Sequence, residues 1–191
     1  MKLIFASHNE NKAKEIRSLL PEHIELLTLS DMQLLEEIPE TAETLEGNAL
    51  LKASYVYERF GLNCFADDTG LEVHALNGAP GVYSARYAGG SKDPEANMSL
   101  LLKNLANVED RSARFRTSIA LYWNGEQHFF DGIVNGQISK MRSGADGFGY
   151  DPIFIPENAT RTFAEMTLQE KNQQSHRARA LEKMIEFIHR T

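Results

Sequence analysis

Residues 3–29 read LIFASHNENKAKEIRSLLPEHIELLTL, and their pattern decides the fold class. The apolar run Leu3–Ala6 has the length and composition of a buried strand. Ala13, Ile16, Leu19 and Leu20 follow at helical spacing and are stopped by Pro21. A second strand, roughly Ile24–Leu29, comes after the turn. Strand, helix and strand in this order predict an α/β sheet with a right-handed crossover.

The rest of the chain extends that reading. Residues 43–60 carry Leu45, Ala49, Ala53, Val56 and Phe60 within about 80° of helical arc. Lys52 falls in or beside this stripe and Asn48 at its edge. Either a negative group meets the Lys52 ammonium, or the four-carbon stem carries it out to water. Leu62–Ala66 reads as a short strand running into Asp67-Asp68-Thr69-Gly70, with a loop-rich stretch beyond it marked by Asn77-Gly78 and Pro80-Gly81. Asp93-Pro94 opens a helix with Leu100, Leu101 and Leu105. Arg114–Trp123 and Glu126–Ile138 flank Asn124-Gly125, a strong hairpin signal. A short strand, Ile153–Ile155, follows. The last helix shows Leu181, Met184, Ile185 and Ile188, with Ser175 as its N-cap. The expected architecture is therefore α/β, a mixed sheet elongated by a long hairpin and flanked by helices. No repeat or linker marks a domain boundary.

Composition narrows the function. The 191 residues carry 20 Lys and Arg against 27 Asp and Glu, a net charge of −7, with 42% hydrophobic and 25% charged residues. These values exclude disordered, collagen-like and coiled-coil classes. The acidic balance argues against nucleic-acid binding, yet a few placed cations can still serve one small polyanion. The single cysteine, Cys64, permits neither an internal disulfide nor a multi-thiolate zinc site and reads as a buried strand thiol. The leading apolar run is too short for a signal peptide, and nothing approaches the roughly 18 apolar residues of a membrane span. A cytoplasmic location is expected.

Four segments can carry chemistry. Ser7-His8-Asn9-Glu10-Asn11-Lys12 joins strand to helix, where backbone N–H groups attract anions and Lys12 adds a full charge; the plainer reading is an N-cap with an exposed lysine. Asp67 and Asp68 lie at the C-terminal end of a buried strand, where open α/β sheets bind ligands. Adjacent strand side chains point to opposite faces, so one carboxylate at most aims fully at a site, as a magnesium ligand or base. The alternative is an exposed Asx-turn. In Gly144-Ala145-Asp146-Gly147-Phe148-Gly149-Tyr150-Asp151-Pro152, Phe148 or Tyr150 offers a flat face to a base and Asp151 an acceptor, unless the segment is only a turn. Lys171 with Ser175-His176-Arg177 makes either a second anion or carbonyl-oxygen site or a solvated basic patch. Histidine spacing fits no zinc site, and neither a nucleophile elbow nor a dinucleotide fingerprint is present.

In order and spacing these segments, with Glu40-Thr41, Asn48–Ala53 and Gly78–Tyr87, resemble the inosine/xanthosine triphosphate pyrophosphatase family, the Ham1/RdgB-like enzymes, over nearly the whole chain. The resemblance implies a single domain over residues 1–191, two lobes with the site in the cleft between them, and a homodimer. It implies magnesium-dependent hydrolysis of ITP, dITP and XTP to the monophosphate and pyrophosphate. Ser7, Asn9, Lys12 and Lys52 would then hold the triphosphate, within a substrate-binding set that includes His8, Glu10, Asn11 and Thr69. Glu40 and Asp68 would ligate magnesium, with Asp68 also the proton acceptor. Phe148 would stack on the base, and Gly149, Tyr150, Asp151, Lys171, His176 and Arg177 would contact the base and its neighbourhood. Where relatives often read Glu-Thr-Gly, this chain has Glu40-Thr41-Ala42, which leaves Glu43 and Glu46 as competing ligands.

Two physical points fit that implication. Lys12 and Lys52 would neutralise charge growing on a leaving pyrophosphate, which would also explain a lysine in an apolar stripe. Lys171 and Arg177 are donors only, suiting a purine 6-oxo group and facing an adenine amino group badly. The alternatives are a pyrophosphatase for a modified pyrimidine or dUTP, a nucleotide-binding regulator without catalysis, and an inorganic pyrophosphatase.

Overall fold

The computed structural model describes residues 1–191. Its strands are β1 (Lys2–Phe5), β2 (Glu25–Thr28), β3 (Cys64–Val73), β4 (Pro80–Gly81), β5 (Ser112–Trp123), β6 (Glu126–Ile138) and β7 (Phe154–Pro156). The helices are α1 (Glu10–Arg17), α2 (Leu45–Phe60), α3 (Pro94–Asn104), α4 (Leu168–Asn172) and α5 (His176–Arg190). The strands hydrogen-bond in the order β2-β1-β3-β5-β6-β7, with β4 on β3. β1 is parallel to β2 and β3, whereas β3–β4 and β6–β7 are antiparallel, so the sheet is mixed as expected. Asn124 and Gly125 take φ of 51° and 89°, the paired left-handed conformation of the predicted tight hairpin. No helix is long and apolar enough to cross a membrane.

The chain divides into two compact units. The first comprises Met1–Asp68, Thr117–Gly132 and Arg177–Thr191. Alternation along β1 sorts its core into two layers: Leu3 and Phe5 pack with Ala13 and Ile16 of α1 and Leu181, Met184 and Ile188 of α5, while Ile4 and Ala6 pack with Ala49, Ala53 and Val56 of α2. Phe65 of β3 stacks on Phe5 in the first layer, 5.0 Å between ring centroids, and Cys64 and Ala66 lie in the second. Burial pushes the Cys64 thiol up to about 12, so it is inert packing. The second unit, Thr69–Arg116 and Ile133–His176, has its own core, in which Leu71, Met98, Leu101, Phe115, Phe154 and Phe163 converge.

Three expectations need correction. β3 does not stop at Ala66 but continues through both aspartates to Val73. Leu71 and Val73 are core residues, and the turn at Asn77-Gly78 folds Pro80 and Gly81 back to pair with Glu72 and Leu71. Helix α1 begins at Glu10, inside the segment read as a joining loop, because Asn9 caps it. Asp151–Ile153 is a 3-10 turn, so the short strand β7 starts one residue later than Ile153.

Candidate active site

Because β3 stays extended through Asp67 and Asp68, the two carboxylates point to opposite faces of the strand. Asp68 faces α2. Its Oδ2 accepts from Asn48 Nδ2 at 3.0 Å, and its Oδ1 lies 3.8 Å from Lys52 Nζ. Lys52, only 6% exposed, donates to Glu40 Oε1 at 2.7 Å and to the Asp67 carbonyl at 2.8 Å. The lysine in the apolar stripe is thus a buried cation with protein partners, and no ligand is needed to account for it. Burial pulls its ammonium down, but Asp68, Glu40 and Asp67 together more than restore it. Burial pushes the Asp68 carboxyl above the usual range; Lys52 and Lys12 oppose this and Glu40 adds to it.

Glu40 reaches this face from the loop before α2, and Asn48 ties the two together, since its Oδ1 accepts the Ala42 N–H at 2.9 Å. The substituted loop residue Ala42 packs tightly, as a Cβ on Gly47 would lie 2.6 Å from the Ala42 Cβ. Of the competing glutamates, Glu43 is exposed and Glu46 sits half-buried in the first turn of α2. Two carboxylates and one ammonium leave one negative charge in excess here. That donor set fits magnesium, which takes one or two protein carboxylates and completes its shell with water and phosphate oxygens.

Asp67 faces α1 and α5. Its Oδ1 accepts from Lys12 Nζ at 2.9 Å and its Oδ2 from Arg177 Nε at 3.1 Å, while Arg177 Nη1 also meets Glu15 Oε2. Arg177 is 1% exposed and Asp67 wholly buried. Burial pushes Asp67 up, but Lys12 and Arg177 outweigh it and hold the carboxyl far below its usual range. Lys12 is not the exposed lysine of the plainer reading: burial lowers its ammonium, and Asp67 only partly restores it. At the entrance to α1, Ser7 Oγ accepts the Asn9 N–H and Asn9 Oδ1 the Lys12 N–H; His8, Glu10 and Asn11 are exposed.

In the second unit, Asp151 is the hub. Its Oδ2 accepts from Lys171 Nζ at 2.5 Å and from the Phe148 N–H at 2.8 Å. Gly147, at φ 76°, has no room for a side chain, because a Cβ would lie 2.2 Å from that carboxylate oxygen. The Lys171 ammonium sits 4.9 Å from the centre of the half-buried Phe148 ring. Tyr150 is core, its hydroxyl donating to the Ser84 carbonyl, which leaves Phe148 as the flat face of this segment. Gly149 is left-handed, Thr69 is half-buried on β3, and His176 stacks on Phe115 at 4.5 Å. Lys171, His176 and Arg177 are all buried, so the solvated basic patch is not what forms.

Sequence pattern alone misses Glu15, leaves the role of Asp67 open and assigns none to Asn48. Glu15 had the signal that exposed Lys52: a charge beside a buried helical stripe, here Ala13 and Ile16.

The comparisons with known proteins agree with one another. The Ham1 family profile matches residues 3–187. The chain is 55% identical over 188 residues to a Flavobacterium johnsoniae protein named dITP/XTP pyrophosphatase, covering 98% of each chain. It is 53% identical to one of the same name from Porphyromonas gingivalis, covering 98% of this chain and 97% of that one. Among solved structures it resembles a HAM1 protein from Coxiella burnetii, with a TM-score of 0.90, 37% identity and full coverage of both chains. It also resembles a nucleoside-triphosphatase / dITP/XTP pyrophosphatase from Mycobacterium abscessus, with a TM-score of 0.77, 44% identity, and 96% of this chain and 98% of that one covered. Sequence and backbone thus point the same way along the full length, and the chain belongs to the Ham1 family.

Proposed function

We propose that this chain is a magnesium-dependent pyrophosphohydrolase of non-canonical purine nucleoside triphosphates, ITP, dITP and XTP, yielding the monophosphate and pyrophosphate. The observation that carries the reading is Asp68, a carboxyl with raised proton affinity held beside Glu40, Lys52 and Asn48, in a chain 55% identical to a relative named for this activity. Glu40 and Asp68 are the residues that would hold magnesium. When bound, the ion would supply charge neutralisation on the phosphate oxygens and help orient the attacking water.

Asp68 accepts the proton that the water loses as its oxygen attacks phosphorus. The bond between the α and β phosphoryl groups breaks, and the leaving pyrophosphate takes the electron pair. Burial raises the affinity of Asp68 for that proton above that of an ordinary carboxylate. Lys52 and Lys12 meet the charge growing on the leaving group. Ser7 and Asn9 stand at the entrance to α1 with polar groups suited to phosphate oxygens. For the base, Phe148 offers its ring, while Lys171, a donor with no acceptor, suits the 6-oxo group. Asp151 serves by holding both of them. Family resemblance supports a homodimer working in the cytoplasm, and light scattering on the purified protein tests the dimer.

The deciding experiment incubates the protein with ITP, XTP, dITP, GTP and ATP plus magnesium and identifies the products, with Asp68→Asn in parallel. Monophosphate and pyrophosphate from the first three, little from GTP and ATP, and none from the variant are expected. Diphosphate plus phosphate overturns the assignment of the broken bond and of Asp68.

A further inference from the structure

Thr162-Phe163-Ala164-Glu165 and Thr167-Leu168-Gln169-Glu170 repeat one capping pattern in close succession. The second turn starts α4: Thr167 Oγ1 accepts the Glu170 N–H at 3.2 Å, and Glu170 Oε2 accepts the Thr167 N–H at 2.8 Å. Lys171 is the next residue, so this cap sets where its stem leaves the backbone. The first turn has another task, because its polar groups reach the segment that carries Phe148.

Thr162, only 2% exposed, donates its hydroxyl to the Ser143 carbonyl at 2.8 Å. The Ala164 carbonyl accepts the N–H groups of Ala145 and Asp146 at 3.1 and 3.0 Å. Between these bonds Gly144, at φ 85°, approaches so closely that a Cβ would lie 2.2 Å from the Ala164 carbonyl carbon. Glu165 Oε2 braces the turn by accepting the Thr162 N–H at 2.8 Å. Arg161 joins the two turns, donating to the Glu165 carbonyl at 3.2 Å and to Glu170 Oε1 at 2.8 Å.

Phe148 and Lys171 are therefore linked twice. Asp151 joins the Lys171 ammonium to the Phe148 N–H, and the two turns join the segments from which both side chains grow. A single link would let ring and ammonium swing about it, whereas two fix distance and direction together. Reading a base needs both. The stacked ring sets the plane of the purine, and a donor refuses a 6-amino group only if it is held at the 6-position in that plane; a donor free to swing aside leaves no hydrogen bond unmet.

We propose that Thr162, braced by Glu165, is a specificity-determining positioning residue: it holds the Phe148 segment against the root of α4, so that ring and Lys171 together distinguish a 6-oxo from a 6-amino purine. This rests on the base assignment of Phe148 and Lys171 made above.

Three variants test it. Thr162→Val keeps the shape and loses the hydroxyl, Thr162→Ser keeps the hydroxyl, and Glu165→Ala removes the brace. Each is measured for ITP and ATP hydrolysis, for calorimetric binding of IMP, AMP and inorganic pyrophosphate, and for folding by circular dichroism. In Thr162→Val and Glu165→Ala, kcat/KM for ITP is expected to fall ~10- to 100-fold, mostly through KM, with ATP little changed. The preference for IMP over AMP should shrink alongside, pyrophosphate binding should hold, and Thr162→Ser should retain the preference. In a Lys171→Met background neither change should narrow the preference further, as coupled residues require. An unaltered ITP-to-ATP preference overturns the proposal. So does pyrophosphate binding weakened by the same factor as ITP hydrolysis, or an undiminished narrowing without Lys171. If one variant does not fold, the other decides. A wild-type protein that prefers IMP to AMP yet hydrolyses no ITP defeats the proposed function, while the binding arm still judges Thr162. A wild type that binds IMP and AMP alike defeats the base assignment and this proposal with it.

Discussion

The two faces of β3 carry the same residue type and opposite electrostatics. On the α1 and α5 face, Asp67 sits in a balanced ring with Lys12, Arg177 and Glu15 and is held ionised. On the α2 face, Asp68 shares one lysine with Glu40, and its carboxyl is pushed up toward taking a proton. Strand alternation makes the difference: one step along the backbone exchanges one set of neighbours for another. A balanced cluster holds its geometry, whereas an anionic surplus calls for a cation or a proton. The first supports a site and the second can act in one.

The sharpest way to break this contrast is to neutralise each aspartate. Asp68→Asn is expected to lower kcat by ~100- to 10,000-fold, the range for a lost general base, without loss of fold. A steady-state assay on ITP decides this, and near-normal turnover would end the distinction. Next in size is the ring itself. Arg177→Met leaves Asp67 and Glu15 buried with one cation and should cost ~3–5 kcal/mol in urea unfolding. A loss of only a few tenths would mean that the ring is not what holds this face.

Acid dependence separates the faces by sign. The folded Asp67 binds its proton more weakly than the unfolded one, so the stability it adds is complete above the ordinary aspartate range. That stability disappears as the pH falls through the depressed folded value. The folded Asp68 binds its proton more tightly, so stability declines as the pH climbs from the ordinary value through the raised one. Denaturant midpoints without magnesium, from about pH 3 to about pH 8, should therefore rise above that range in Asp68→Asn and fall in Asp67→Asn. Shifts of the same sign would refute the contrast. The smallest effect belongs to Asn48→Ala, which removes the bridge between Ala42 and Asp68 and should destabilise by ~1–3 kcal/mol.

Local pattern made much of this legible. The hairpin at Asn124-Gly125, the stripe of α2 with its misplaced Lys52, and the opposed facing of the two aspartates all follow from periodicity within a few residues. Partners did not. Asp67 meets Lys12 across 55 positions and Arg177 across 110, and no short-range pattern encodes such pairs. Asp151 reads from the sequence as an acceptor for a base, and its position after a glycine-rich turn does not reveal that its Oδ2 also holds Lys171 and the Phe148 N–H. Helix α4 went unseen although Thr167 and Glu170 form a capping box, a four-residue signal easily lost beside a five-residue helix.

The first unit is assembled from three separate stretches of chain, and the last of them, Arg177–Thr191, brings both α5 and the closing guanidinium. Synthesis on a ribosome is vectorial, at roughly 5–20 residues per second, so Arg177 arrives about 5–20 s after Asp67. Through that interval Glu15 and Asp67 lack Arg177, and Leu3, Phe5 and Phe65 lack Leu181, Met184 and Ile188. A chain lacking the residues from 177 onward would leave Leu3, Phe5 and Phe65 without the α5 side of their hydrophobic layer.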